Sequence, residues 1–464
     1  MKRGRTVSLC MIVKDEETYL HGCLQSVLEV MDEIIVVDTG STDRTVEIAR
    51  EHGARVFEYV WNDDFSAARN ESLEHATGDW IFQIDADERL DPDSKGEFRK
   101  WLNDRSNLCV NVLIDSPKAG GHKKGHISRA HRLFRNLPGI RYSGRIHEQL
   151  SPSVMALNGR EGFSNILLHH LGYAKEEAEM IEKSQRNYRL LTKQIDDEPE
   201  NPYWHFTLAQ NLILSRRYDE ARTHLHQALA LGNLPKDIRC SIHNNLAEIH
   251  LRAGEHEQAV RFAEQALAVT KKQTTSYLLL FEIYGHLKDN QKQIECLEAA
   301  IALAEKKQRA VNEISLEAYV DLPALYMNLG HKYFAEKSFQ QAGSRYKQAL
   351  ARMPGNLSAM KGLGDCLIQG GEFEQAERLL EQIRKRAPND VLNLEKLAWL
   401  AIKMKKFVKA ISIYEALLAF TSMNQEVMKR LAGLYNHVGK RNKSRELLLR
   451  AHEMQKTDQR GGPQ

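Results

Sequence analysis

Residue patterning predicts an α/β domain with a mostly parallel sheet, followed by an all-α repeat array. Three observations carry this. Apolar runs of strand length alternate with helix-spaced segments over the first ~175 residues. Strand signals vanish beyond Lys175. A small residue then recurs every 34 residues, at Ala342, Ala376, Ala410 and Ser444. A chain of 464 residues is too long for one core. The expected division is residues 1–175, a linker helix over 176–200, and repeats over 201–464.

The elements follow in order. Val7–Val13 is apolar but for Ser8, as for a strand buried on both faces. Glu16–Met31 carries Leu20, Leu24, Val27 and Leu28 at helical spacing. Glu33–Val37 is a second buried strand, ending in the polar turn Asp38-Thr39-Gly40-Ser41-Thr42-Asp43. Thr42 or Asp43 can cap a helix over Thr45–His52. Ala54–Tyr59 reads as a strand, Asn70–Thr77 as a helix, and Trp80–Glu88 as a strand that ends in acids. Further on, Leu108–Ile114 and Arg132–Phe134 read as strands around a loop, Ser116–Ser128. Lys123, Lys124, Arg129 and Arg132 read as a solvated basic hairpin. Lys175–Asp196 is a long charged helix.

The repeats are in phase. Leu329-Gly330, Leu363-Gly364, Leu397-Ala398 and Leu431-Ala432 each precede the small residue by the same interval. Phe339, Phe373 and Phe407 keep the register, and Arg441 breaks it. Weaker copies centre on Ala221/Ala228, Ala259/Ala266 and Ala300, giving about seven repeats of two antiparallel helices. The longer interval between Ala300 and Ala342 predicts an extended helix or insertion.

Composition excludes several classes. The net charge of +3 gives no support to nucleic-acid binding. Six scattered cysteines without a C-x-x-C pair suit a reducing compartment. No stretch approaches the ~18 apolar residues of a membrane span. A cytoplasmic protein is expected.

The chemistry concentrates at Asp85-Ala86-Asp87-Glu88. Carboxylates at a strand end resist desolvation unless positive charge sits beside them. A hard divalent cation, its shell completed by diphosphate oxygens, is the expected partner. Ligands of parallel sheets bind beyond the carboxyl ends of the strands, so Asp38 and the Asp85/Asp87 pair are expected to converge.

Five motifs occur in order: Val13-Lys14-Asp15-Glu16-Glu17, Val36-Val37-Asp38-Thr39-Gly40-Ser41-Thr42-Asp43, Phe65-Ser66-Ala67-Ala68-Arg69-Asn70, Gly78-Asp79-Trp80 and Asp85-Ala86-Asp87-Glu88. On these residues the first third resembles family 2 glycosyltransferases of the GT-A fold (Rossmann-like). It looks closest to a branch with C-terminal tetratricopeptide repeats that includes flagellin- and peptide-modifying bacterial enzymes. The resemblance implies an inverting transferase with Mn²⁺ or Mg²⁺ and a nucleotide-sugar donor, a UDP-sugar such as UDP-GlcNAc or UDP-Glc. Asp38 would accept from the uracil N3–H, or merely cap its turn. Arg69 would lie near the uracil or diphosphate, and Asp85 would touch the ribose. Ile12, Lys14 and Glu16 belong to the implied nucleotide site. Asp87 would hold the metal. Tyr142-Ser143-Gly144-Arg145-Ile146-His147-Glu148 resembles the segment that carries the base. Glu148 is the candidate, and His147 the rival on the opposite side of an extended segment. A structural Glu148 paired with Arg141 or Arg145 is the plainer alternative. His169-His170-Leu171-Gly172-Tyr173 resembles a late element in which His170 would complete the metal shell or touch a phosphate, a packed histidine being the plainer alternative.

The repeats would present a protein or peptide acceptor, and could equally form a homodimer. Rival readings are transfer to a lipid-linked or saccharide acceptor, and a non-catalytic repeat scaffold.

Overall fold

The computed structural model describes residues 5–116, 126–171, 177–307, 320–420 and 424–460. An eight-stranded mixed sheet is ordered β3-β2-β1-β4-β7-β6-β8-β5. Its strands are β1 (Val7–Val13), β2 (Glu33–Asp38), β3 (Arg55–Glu58), β4 (Trp80–Gln83), β5 (Glu88–Leu90), β6 (Cys109–Ser116), β7 (His126–Arg135) and β8 (Glu161–His170).

The first four strands pair in parallel, with β1 between β2 and β4. Alternate residues of β1 enter two cores, because strand side chains alternate between faces. Leu9 and Met11 join Trp80, Phe82, Leu20 and Phe98 on one face. Cys10 joins Ile35, Leu73, Ile81 and Phe134 on the other. Ser8, the polar exception in β1, is fully buried and satisfied by donating to Glu33 and accepting from Gly78 N–H.

Several elements differ from expectation. The first helix is Leu20–Val27, continued by a 3₁₀ turn Leu28–Val30. Asp43, not Thr42, serves the next helix by accepting from Thr45 N and Oγ1. The helix expected over Asn70–Thr77 runs Phe65–Glu74, because Asp64 accepts from Ala67 N and starts it earlier. The predicted acidic strand ends at Gln83, and a turn at Asp85–Glu88 leads into β5. Strand β5 pairs antiparallel with β8, placing Glu88 opposite His170. Strand β8 was not expected. Strand β7 is ten residues long and absorbs Arg129, Arg132 and the end of the expected loop. Residues 117–125, with Lys123 and Lys124, lie outside the described residues, as do Gly172 and Tyr173.

From Pro202 seven helix pairs follow among the described residues. Ala342, Ala376, Ala410 and Ser444 are all buried, where a larger side chain would hold two helices apart. Residues 308–319, in the long interval after Ala300, lie outside the described residues. The described residues form two compact units, the first running to Leu279 and resuming at Lys306, the second taking Leu280–Glu305 and the chain from Val320. The helix Glu177–Asp197 lies inside the first. Arg189 and Lys193 pair with Asp63, Arg145 pairs with Asp197, and Gln194 accepts from Arg145 N.

Candidate active site

A cavity of about 930 Å³ opens beyond the carboxyl ends of β1 and β4. Ile12, Lys14 and Glu16 line it from the end of β1 and the turn after it. That turn is stitched to the one after β2. Asp15 N donates to Ser41 Oγ, Thr42 N to Asp15 Oδ1, and Glu16 N to Thr45 Oγ1. Asp38 is buried and turned into its own loop, where its carboxylate accepts from Gly40 N and Ser41 N. It is not among the lining residues, whereas its neighbour Thr39 is.

Asp85 and Asp87 both line the cavity. The positive charge beside Asp85 comes from two arginines. Arg69 Nη2 donates to Oδ1 at 3.0 Å and Arg132 Nη2 to Oδ2 at 2.8 Å. Burial opposes the charge on Asp85, but Arg132 and then Arg69 outweigh it and hold the carboxyl far below the usual range. Arg132 also donates to Glu88 Oε1 at 2.7 Å and to Gln83 Oε1. It is therefore no part of a solvated hairpin, since only 11% of its side chain is exposed. A cation beside Asp85 was foreseen, but its identity as arginine was not. Arg132 shows only as one basic residue near a predicted strand until β7 is paired with β4.

Asp87 faces His170. The two approach at 3.0 Å, Nε2 to Oδ2, and both line the cavity. Their hydrogen bond raises the imidazole pKa against the effect of burial. Among the described residues no cluster of three or more His, Cys, Asp or Glu side chains is arranged to hold a metal. The protein thus offers one carboxylate and one imidazole here. That donor set fits a cation whose remaining ligands come from a diphosphate and water.

Glu148 lines the same cavity. Its Oε1 accepts from Arg69 Nε at 2.6 Å, so its partner is neither Arg141 nor Arg145. Those arginines pair with Glu74 and Asp197. The Ser143↔Gln149 bridge closes a turn across this segment. His147 takes a left-handed φ of 53° there, so it lines the cavity beside Glu148 instead of pointing away. Burial lowers its pKa. Sequence reasoning missed Glu182, Lys183, Arg186 and Asn187, which the helix Glu177–Asp197 adds to the lining. The charged face of that helix was the available signal.

Residues 8–167, which hold this constellation, match the glycosyl transferase family 2. The N-terminal domain belongs to that family. Residues 202–272 and 333–398 match tetratricopeptide repeats, in agreement with the helix pairs. A TPR repeat-containing protein of Synechococcus elongatus is 37% identical over 267 residues, which is 56% of this chain and 66% of that protein. The SPbeta prophage-derived glycosyltransferase SunS of Bacillus subtilis is 33% identical over 230 residues, 48% of this chain and 53% of that protein. The chain thus spans between half and two thirds of the length of these relatives. No described helix is long and apolar enough to cross a membrane.

Proposed function

We propose that this chain is an inverting, cation-dependent glycosyltransferase. Its donor is a UDP-sugar and its acceptor a side chain of a polypeptide engaged by the repeats. The observation that carries this reading is one cavity lined by Asp87 and His170 together with Glu148. The size of the cavity suits a nucleotide sugar.

Each residue has a role that follows from its surroundings. Arg69 and Arg132 fix Asp85, which turns toward the ribose. Asp87 and His170 would hold Mn²⁺ or Mg²⁺, which when bound neutralises charge on the departing diphosphate. Arg69 occupies Glu148 Oε1 and leaves Oε2 to take the proton of the attacking hydroxyl or thiol. Ile12, Lys14 and Glu16 form the nucleotide wall. Asp38 would order the loop beside the base, and its carboxylate, which accepts from Gly40 N and Ser41 N, keeps lone pairs for a uracil N3–H. Six free, buried cysteines suit the proposed cytoplasmic location.

The test is UDP release from UDP-GlcNAc and UDP-Glc with Mn²⁺. Wild type should release UDP, and Asp87→Ala should lose cation-dependent release. Full activity in that variant removes the cation reading.

A further inference from the structure

Lys183 and Arg186 line the cavity from the helix Glu177–Asp197, which lies beyond residues 8–167, the stretch that matches the family. Three residues apart, they are neighbours on one helix face, with roughly 5–6 Å between their Cβ atoms. The helix is pinned to two stretches that also line the cavity. Its Arg189 and Lys193 pair with Asp63, which accepts from Trp61 Nε1. Its Asp197 accepts from Arg145, two residues before His147. The Arg186 guanidinium lies over the Phe65 ring, 5.4 Å from its centre, at the start of the helix that carries Arg69. Burial lowers the His147 pKa, and the Lys183 ammonium adds to this against Glu148.

Neither cation has a carboxylate partner among the described residues. The other arginines of the site do. Arg69 pairs with Asp85 and Glu148, and Arg132 with Asp85 and Glu88. Desolvation and then Arg189 lower the Arg186 pKa, and no acid raises it. Such surroundings favour an incoming anion. Two cations about one turn apart match the two charged phosphoryl groups of a diphosphate, whereas a lone carboxylate would occupy one of them. We propose that Lys183 and Arg186 bind the diphosphate of the donor. When the bond from the anomeric carbon to the β-phosphate oxygen breaks, its electron pair stays on that oxygen. The anomeric carbon takes the acceptor oxygen or sulfur, Glu148 takes the proton, and the two cations meet the charge that the diphosphate gains. This rests on the transferase reading above, and adds that donor binding depends on a helix outside the stretch that matches the family.

The experiment is titration of the full-length chain with UDP and with uridine, each in the presence of Mn²⁺. Wild type should bind UDP more tightly than uridine. Lys183→Met/Arg186→Met should weaken UDP by about tenfold or more, the scale of charge-assisted hydrogen bonds, and leave uridine as it was. Arg186→Lys should keep more UDP affinity than Arg186→Met, because one positive charge stays. Arg189 is outside the lining and 60% exposed, so Arg189→Gln should leave UDP affinity within about twofold. Unchanged UDP affinity in the double variant overturns the proposal. Equal weakening of UDP and uridine overturns it too, as does an Arg189→Gln as weak as the double variant. A wild type that binds neither ligand removes the transferase reading and this proposal with it. A wild type that prefers UDP beside an unaffected double variant removes this proposal alone.

Discussion

Replacing Arg132 with Met removes two ion pairs at once and leaves the fate of Glu88 to decide the outcome. Asp85 keeps Arg69 and is 35% exposed, so it remains compensated. Glu88 is 2% exposed, and Arg132 is its cationic partner. Breaking a buried pair by deleting one member costs about 3–5 kcal/mol. Burial already raises the Glu88 carboxyl, and Arg132 pulls against that rise. Without Arg132 the folded pKa therefore climbs further above the unfolded value. A raised folded pKa means stability that is present below the unfolded pKa and lost as pH rises through the folded one. The deficit of Arg132→Met should thus be smallest in acid and grow toward neutral pH. Two compact units make a single global transition an unsafe measure. Native-state hydrogen exchange of the β4 amides reads the opening of this unit directly. Those amides should lose about 3 kcal/mol of protection at neutral pH, and Glu88→Gln/Arg132→Met should recover part of it. Unchanged protection refutes the reasoning, and so does a double variant no better than the single one.

Further expectations follow from other contacts. Glu148→Gln should cut transfer by roughly 10²–10⁴-fold while UDP and Mn²⁺ still bind in calorimetry. Undiminished transfer would move the base to His147. Asp87→Asn should lower the His170 pKa, since the carboxylate raises it, and an NMR titration of the imidazole reads this. In wild type that pair adds stability below about pH 6.5, lost as pH rises through the raised value; the Asn variant should lose this dependence. Gly144→Ala should destabilise the first unit by about 1–3 kcal/mol or more, visible in native-state hydrogen exchange of that unit's amides. Gly144 has φ 96°, and an added Cβ would stand 2.9 Å from Cζ2 of buried Trp204. Ala376→Leu should cost the second unit about 1–3 kcal/mol, because that position is fully buried between helices.

The parallel half of the sheet was legible because its strands are buried runs bounded by polar turns. The repeats were legible because Ala376 and its equivalents hold one phase over four blocks. What escaped reading depends on distant pairing. Strand β8 alternates buried and exposed residues and lacks the continuous apolar signal of β1. Arg132 became the partner of Asp85 only through the antiparallel pairing of β7 with β4. The approach of His147 to Glu148 depends on one left-handed residue. Asp38 stands where expected at the end of β2, with its carboxylate accepting from the backbone of its own loop.

The helix Glu177–Asp197 bears on how the molecule can be cut and recombined. It looks like a connector in the sequence, yet it supplies Lys183 and Asn187 to the cavity beyond the ends of β1 and β4 and packs against the first repeat. A minimal catalyst trimmed near residue 175 would therefore be missing one side of its own reaction chamber. Chimeras that exchange the repeats should place their seam after the first helix pair, beyond Leu231, and replace only what lies downstream.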